Sequence, residues 1–118
     1  MLAGSRSHRV GDQVLKEVSD LLLKKVKDPR LKRVTLTDVS VSKDLRRARV
    51  YYSIFGTGEE RKLAQEGFES AKGYIRREIG ERLQLRYVPE MRFEYDSSLE
   101  YGQKMERILE ELSPKKDE

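Results

Sequence analysis

Residues 57–84 read TGEERKLAQEGFESAKGYIRREIGERLQ, and how this stretch folds decides the architecture. Leu63, Gly67, Ala71, Ile75, Ile79 and Leu83 recur at four-residue steps, the pattern of one amphipathic helix over about 59–84. Thr57 followed by Glu60 forms a capping box at its start. Two small residues, Ala71 and Gly73, flank Lys72 at the middle. Glycine inside a helix costs about 1 kcal/mol relative to alanine, and glycine beside small neighbours is a common site of kinks. The expectation is therefore two helices meeting at Ala71-Lys72-Gly73. The preceding Gly56-Thr57-Gly58 invites a dinucleotide fingerprint, but Arg61 stands where the third glycine belongs. Glu59 and Glu60 would also repel a pyrophosphate there.

Upstream, Val10, Val14, Leu15, Val18, Leu21, Leu22 and Val26 predict a helix over about 7–26, stopped by Pro29. Residues 34–42, rich in Val and Thr, predict a strand whose inward parity changes between Leu36 and Val39. A bulge near Asp38 would restore a single apolar face. Residues 47–55 alternate cleanly, with Ala48, Val50, Tyr52 and Ile54 on one face. The short link Ser42-Lys43-Asp44 makes the two strands an antiparallel hairpin. Downstream of Pro89, Met91, Phe93 and Tyr95 predict a third strand. Ser97 with Glu100 then caps a final helix carrying Tyr101, Met105, Ile108, Leu109 and Leu112. The order α-β-β-α-α-β-α gives an α+β domain over residues 1–113, one three-stranded sheet packed on helices, with a short charged tail at 114–118.

Composition narrows the chemistry. Among 118 residues there is no Cys and one His, His8, too few ligands or bases for a structural zinc or a nucleophilic triad. No metal, no cofactor and no disulfide are expected, and carboxylates interspersed with Lys and Arg suggest solvated helix faces rather than an acid–base pair. No stretch is long enough to cross a membrane, and residues 1–9 lack the apolar core of a secretory signal, so a cytoplasmic, non-enzymatic protein is expected. The net charge of +4 is unevenly placed: residues 94–118 hold eight acids against four bases, and residues 1–93 hold 21 bases against 13 acids. Such asymmetry is the footprint of a protein that docks on a polyanion.

The Ala71–Gly73 joint is the first candidate site. Small side chains would let a nucleic-acid backbone approach, and the second helix would present free N–H groups to phosphate. Lys72, Arg76 and Arg77 would surround that end with charge. The alternative is that Ala71 and Gly73 serve close helix packing while the cations are merely solvated; the residues alone favour neither. A KH module clamps nucleotides with a Gly-x-x-Gly loop between two helices, and this chain has none. The outer strand face, with Arg47, Arg49, Tyr51 and Phe55, is a second candidate, ranked lower because Tyr51 and Phe55 are expected to pack under the last helix.

Several short motifs occur together in order: Asp28-Pro29-Arg30-Leu31, Ser42-Lys43-Asp44-Leu45, Ala71-x-Gly73, Ile75-Arg76-Arg77-Glu78-Ile79-Gly80, Pro89-Glu90-Met91-x-Phe93 and Asp96-Ser97-Ser98. In this ordered set the chain resembles bacterial ribosome-binding factor A, from Arg6 to about Leu112. The resemblance implies a type II KH-like fold, α-β-β-α-(kink)-α-β with a C-terminal helix, in which an Ala-x-Gly kink replaces the Gly-x-x-Gly loop. It also implies binding of the small (30S) ribosomal subunit and its 16S rRNA during late maturation, with 5′-end rRNA processing, cold adaptation and no enzymatic activity. Small-subunit ribosomal proteins would complete the site, and the protein would act as a monomer. The RNA contacts so expected are Ala71, Lys72, Gly73, Arg76 and Arg77, with Arg6, Arg9, Arg30 and Arg86 second in rank. Two rivals remain: a generic KH-type module for single-stranded RNA, and a protein–protein adaptor using the acidic C-terminal helix.

Overall fold

The computed structural model describes residues 5–98. The expected final helix, with Tyr101, Met105, Ile108, Leu109 and Leu112, and the tail at 114–118 lie outside the described residues. Helix α1 spans Arg6–Lys24. Ser5 caps it, its hydroxyl accepting from the His8 amide at 3.2 Å. Val10, Val14, Val18 and Leu21 form its buried stripe. A 3₁₀ turn at Pro29–Leu31 follows, and then strand β1, Val34–Val41, and strand β2, Arg47–Ile54. Helix α2 spans Gly58–Leu83, and strand β3 spans Glu90–Tyr95.

The sheet order is β1-β2-β3, with β1 antiparallel and β3 parallel to β2. The expected bulge is present, as the register slips between Leu36 and Asp38. Leu36 thereby pairs with Tyr52 and Val39 with Val50, so both apolar residues face the helices. Thr37, the extra residue, donates its hydroxyl to Asp96 Oδ2 at 2.6 Å, tying the bulge to the end of β3.

Helices α1 and α2 cover one face of the sheet. Between them lies the core of Val14, Val18, Leu21, Val50, Tyr52, Phe68, Ile75, Ile79, Met91 and Phe93, each at most 2% exposed. Phe68 stacks on Phe93, ring centroids 4.4 Å apart, and leans on Tyr52 at 4.8 Å. The Tyr52 hydroxyl donates to Gln65 Oε1, and Gln65 Nε2 donates to the Phe93 carbonyl, so one side chain of α2 joins β2 to β3. Among the described residues no helix is long and apolar enough to cross a membrane.

One expectation fails. Helix α2 runs unbroken through Ala71-Lys72-Gly73, with the capping box at its start as expected and Gln84 in the left-handed region (φ 52°) at its end. The reason is geometric. At about 100° per residue, Ala64, Phe68, Ile75 and Ile79 fall within an arc of roughly 60°, a single stripe against the same sheet. A break at the middle would turn one half of that stripe away from the core. Packing of both halves outweighs the modest cost of one helical glycine. No free N–H groups open at residue 73 either, because the amides there lie inside the helical ladder.

Candidate nucleic-acid interface

The middle of α2 faces the edge strand β3 across a groove of about 530 Å³. Lys72 and Arg76, one helical turn apart, line it from α2. Arg47, Ala48 and Arg49 line it from β2, and Glu90, Met91 and Arg92 from β3. Five cations thus meet one carboxylate. Parallel pairing places Arg49 directly opposite Arg92. Like charges at such positions destabilise a sheet. Glu94, 3.9 Å from Arg49, offsets part of this, and Tyr51 and then Glu94 hold the Arg49 guanidinium above its ordinary pKa. Neither Arg47 nor Arg92 has an ion pair among the described residues. A like-charged pair kept beside a groove suits an anionic ligand.

Gly73 sits one row outward from this groove, exposed on α2. A Cβ added there would meet nothing within 4 Å, so close helix packing does not require this glycine. It is a bare stretch of backbone flanked by Lys72, Arg76 and Arg77 at positions −1, +3 and +4 along the helix. Ala71 is half-buried against the core. The three cations differ in freedom. Lys72 is paired with Glu69 at 2.9 Å. Arg76 donates to the Val88 carbonyl at 2.9 Å and the Pro89 carbonyl at 3.2 Å, so it also clamps the loop that leads into β3. Arg77 is exposed, its guanidinium 5.8 Å from the Tyr74 ring.

The remaining sequence-derived residues are dispersed. Arg6 and Arg86 line a second groove beyond the Val88–Pro89 loop, together with Arg46. Arg9 is exposed on α1. Arg30 lies near the other end of the sheet, beside Ile54. There it makes a bidentate pair with Asp28 at 2.7–3.2 Å and reaches Glu66 at 4.0 Å. Asp28 caps the 3₁₀ turn, so Arg30 is committed to holding that turn. Arg47 and Arg49 were legible as an outer strand face. Arg46 and Arg92 carry no such signal: Arg92 merely alternates with buried Met91 and Phe93, and its approach to Arg49 depends on a parallel pairing that no local pattern reveals. Phe55 is 93% exposed.

The family model for ribosome-binding factor A matches residues 6–109. The chain belongs to the ribosome-binding factor A family. It is 49% identical over 112 residues to ribosome-binding factor A of Citrifermentans bemidjiense, covering 95% of this chain and 94% of that one. It is 50% identical over 109 residues to the factor of Caldanaerobacter subterraneus subsp. tengcongensis, covering 92% and 89%. The solution structure of a Thermotoga maritima protein, described as a putative ribosome binding factor A, matches at TM-score 0.60 and 40% identity, covering 76% of this chain and 89% of that one. The crystal structure of ribosome-binding factor A from Thermus thermophilus matches at TM-score 0.64 with 23% identity, covering 74% and 92%, and supports the fold. The α+β, KH-like architecture read from the ordered motifs is thus that of the ribosome-binding factor A family, with one long helix where two were expected.

Proposed function

We propose that this protein is an assembly factor that binds the small ribosomal subunit through its 16S rRNA during late maturation. The observation that carries the reading is the groove between α2 and β3, where five cations, two of them facing each other in the sheet, await a polyanion. Family membership supports it. So does a Thermus thermophilus homology model of the factor fitted into a cryo-EM map of a 30S complex. Lys72, Arg76 and Arg77 contact phosphates, Gly73 permits close approach, and Arg47, Arg49 and Arg92 supply charge from the sheet. Contacts of this type position an RNA by its backbone and shape rather than by base identity. The protein works as a cytoplasmic monomer without catalysis. Its occupancy holds immature RNA in one fold and blocks premature use of the subunit, which supports 5′-end processing and growth in the cold.

The test is co-sedimentation with isolated small subunits, large subunits and free 16S rRNA at two salt concentrations. Retention on small subunits, weakened by salt, is expected. Lys72→Ala combined with Arg92→Ala should lower affinity and reduce the salt slope by about 2. Equal retention on all three targets would reduce the protein to a generic basic module, and an unchanged slope would remove the groove from the interface.

A further inference from the structure

The second groove, about 710 Å³, sits where the start of α1, the β1–β2 hairpin and the α2–β3 loop converge. Its floor is apolar: Val10 and Pro89 are buried, and Leu45, Leu85 and Val88 complete it. Its rim carries Arg6, Arg46 and Arg86, none with an ion pair among the described residues. The single acid, Asp44, is occupied within the hairpin, accepting from Ser42 Oγ at 2.6 Å and from the Arg46 amide at 3.1 Å. Tyr87 stands at the mouth, 76% exposed, with the Arg86 guanidinium 5.8 Å from its ring. One exposed aromatic means little by itself. An exposed aromatic over an apolar floor, ringed by three guanidiniums without an ion pair among the described residues, has the parts that recognise an unpaired base and its phosphates.

We infer that this end groove takes one unpaired nucleotide of the bound RNA, its base stacked on Tyr87 and its phosphates held by Arg6, Arg46 and Arg86. The inference rests on the RNA-binding reading above and extends it. Continuity comes from the backbone. Arg46 and Arg47 are neighbours at the start of β2, the first lining the end groove and the second the α2–β3 groove. The Glu90 amide donates to the Arg46 carbonyl at 2.8 Å, which holds the two grooves in a fixed relation. A strand leaving the α2–β3 groove therefore meets the end groove without a gap in positive charge.

The chain contains no tryptophan, so Tyr87→Trp provides a single reporter at the mouth. Its fluorescence should be quenched on titration with isolated small subunits and with a single-stranded RNA of about ten nucleotides, and much less with a duplex of equal length. Tyr87→Ala should weaken binding to both by roughly 5- to 150-fold, with no fall in the thermal midpoint because the ring is exposed. If Tyr87→Ala binds as the unaltered chain does while the Lys72→Ala/Arg92→Ala variant is impaired, the end groove is not an RNA site and the broader reading stands. If none of these variants is impaired, both fail. If Tyr87-dependent binding persists on subunit proteins stripped of RNA by nuclease, the occupant is a protein and the inference is overturned.

Discussion

Replacing Gly73 by alanine should stabilise the protein and weaken its binding. The residue lies within an unbroken helix, where alanine is favoured over glycine by about 0.5–1 kcal/mol. The new methyl would meet nothing within 4 Å, so no crowding subtracts from that gain. For a domain of this size the gain corresponds to a thermal midpoint roughly 2–4 °C higher. Gly67 and Gly80, in the body of the same helix, differ. At Gly80 a Cβ would lie 2.6 Å from Val88 Cγ2, and at Gly67 it would lie 3.2 Å from two atoms of the buried Leu31, so neither offers the same clear gain. The binding effect has the opposite sign. A methyl on the bare spot between Lys72, Arg76 and Arg77 holds an RNA backbone off the helix, and affinity for small subunits should fall about tenfold, some 1.4 kcal/mol. Thermal unfolding followed by circular dichroism and subunit co-sedimentation, run on the same preparation, read both quantities. A lowered midpoint would refute the continuous helix at this residue. A raised midpoint with unchanged affinity would refute close approach of RNA at Gly73.

Two other outcomes test the fold itself. Phe68→Ala removes a fully buried ring stacked on Phe93 and leaning on Tyr52, and should cost about 3–5 kcal/mol in denaturant unfolding; a loss below about 1.5 kcal/mol would mean the aromatic core is wrongly placed. Acid should also destabilise the protein. Hydrogen bonds from the Arg30 side chain hold Asp28 below the usual carboxylate range; Asp20 is held there by Arg82 and then Lys24, Asp44 by Ser42 and then the Arg46 amide, and Asp96 by Ser98 and then Thr37. A carboxyl with a depressed folded pKa stabilises fully above its unfolded value near 4 and loses that contribution as pH falls through the folded value. Unfolding free energy should therefore stay level on descending to about pH 5 and drop below about pH 4, with a smaller drop for Asp28→Asn. Stability that rises on acidification to pH 3 would contradict these pairings.

Much of the fold was legible because its signals are local. The stripe of α1, the Thr57–Glu60 box and the alternation of β2 each depend on residues within a few positions of one another. Even the bulge showed itself, since Leu36 and Val39 could share a face only if one residue were added between them. Gly73 misled for a related reason. Its cost to a helix is a local quantity, whereas the compensating burial of Phe68 on one side and Ile75 and Ile79 on the other is supplied by the sheet.

The sites divide along the same line. The sequence by itself determined that the protein is a basic α+β domain of the ribosome-binding factor A family, and it brought Lys72, Gly73, Arg76 and Arg77 together, though at a joint between two helices rather than on the single helix that forms. It also offered Arg30 as a second-rank RNA contact, where Asp28 engages the guanidinium. Only the tertiary structure decided which cations are drawn into ion pairs and which stand together. Guanidiniums from β2 and β3 become neighbours through a parallel pairing between strands some forty residues apart. The hairpin and the α2–β3 loop meet at the end groove, where the amide of Glu90 bonds back to Arg46 and Arg76 clamps the loop through Val88 and Pro89. Charge is carried by each residue alone, but the field that a polyanion meets depends on distances between side chains, and those distances are set by packing.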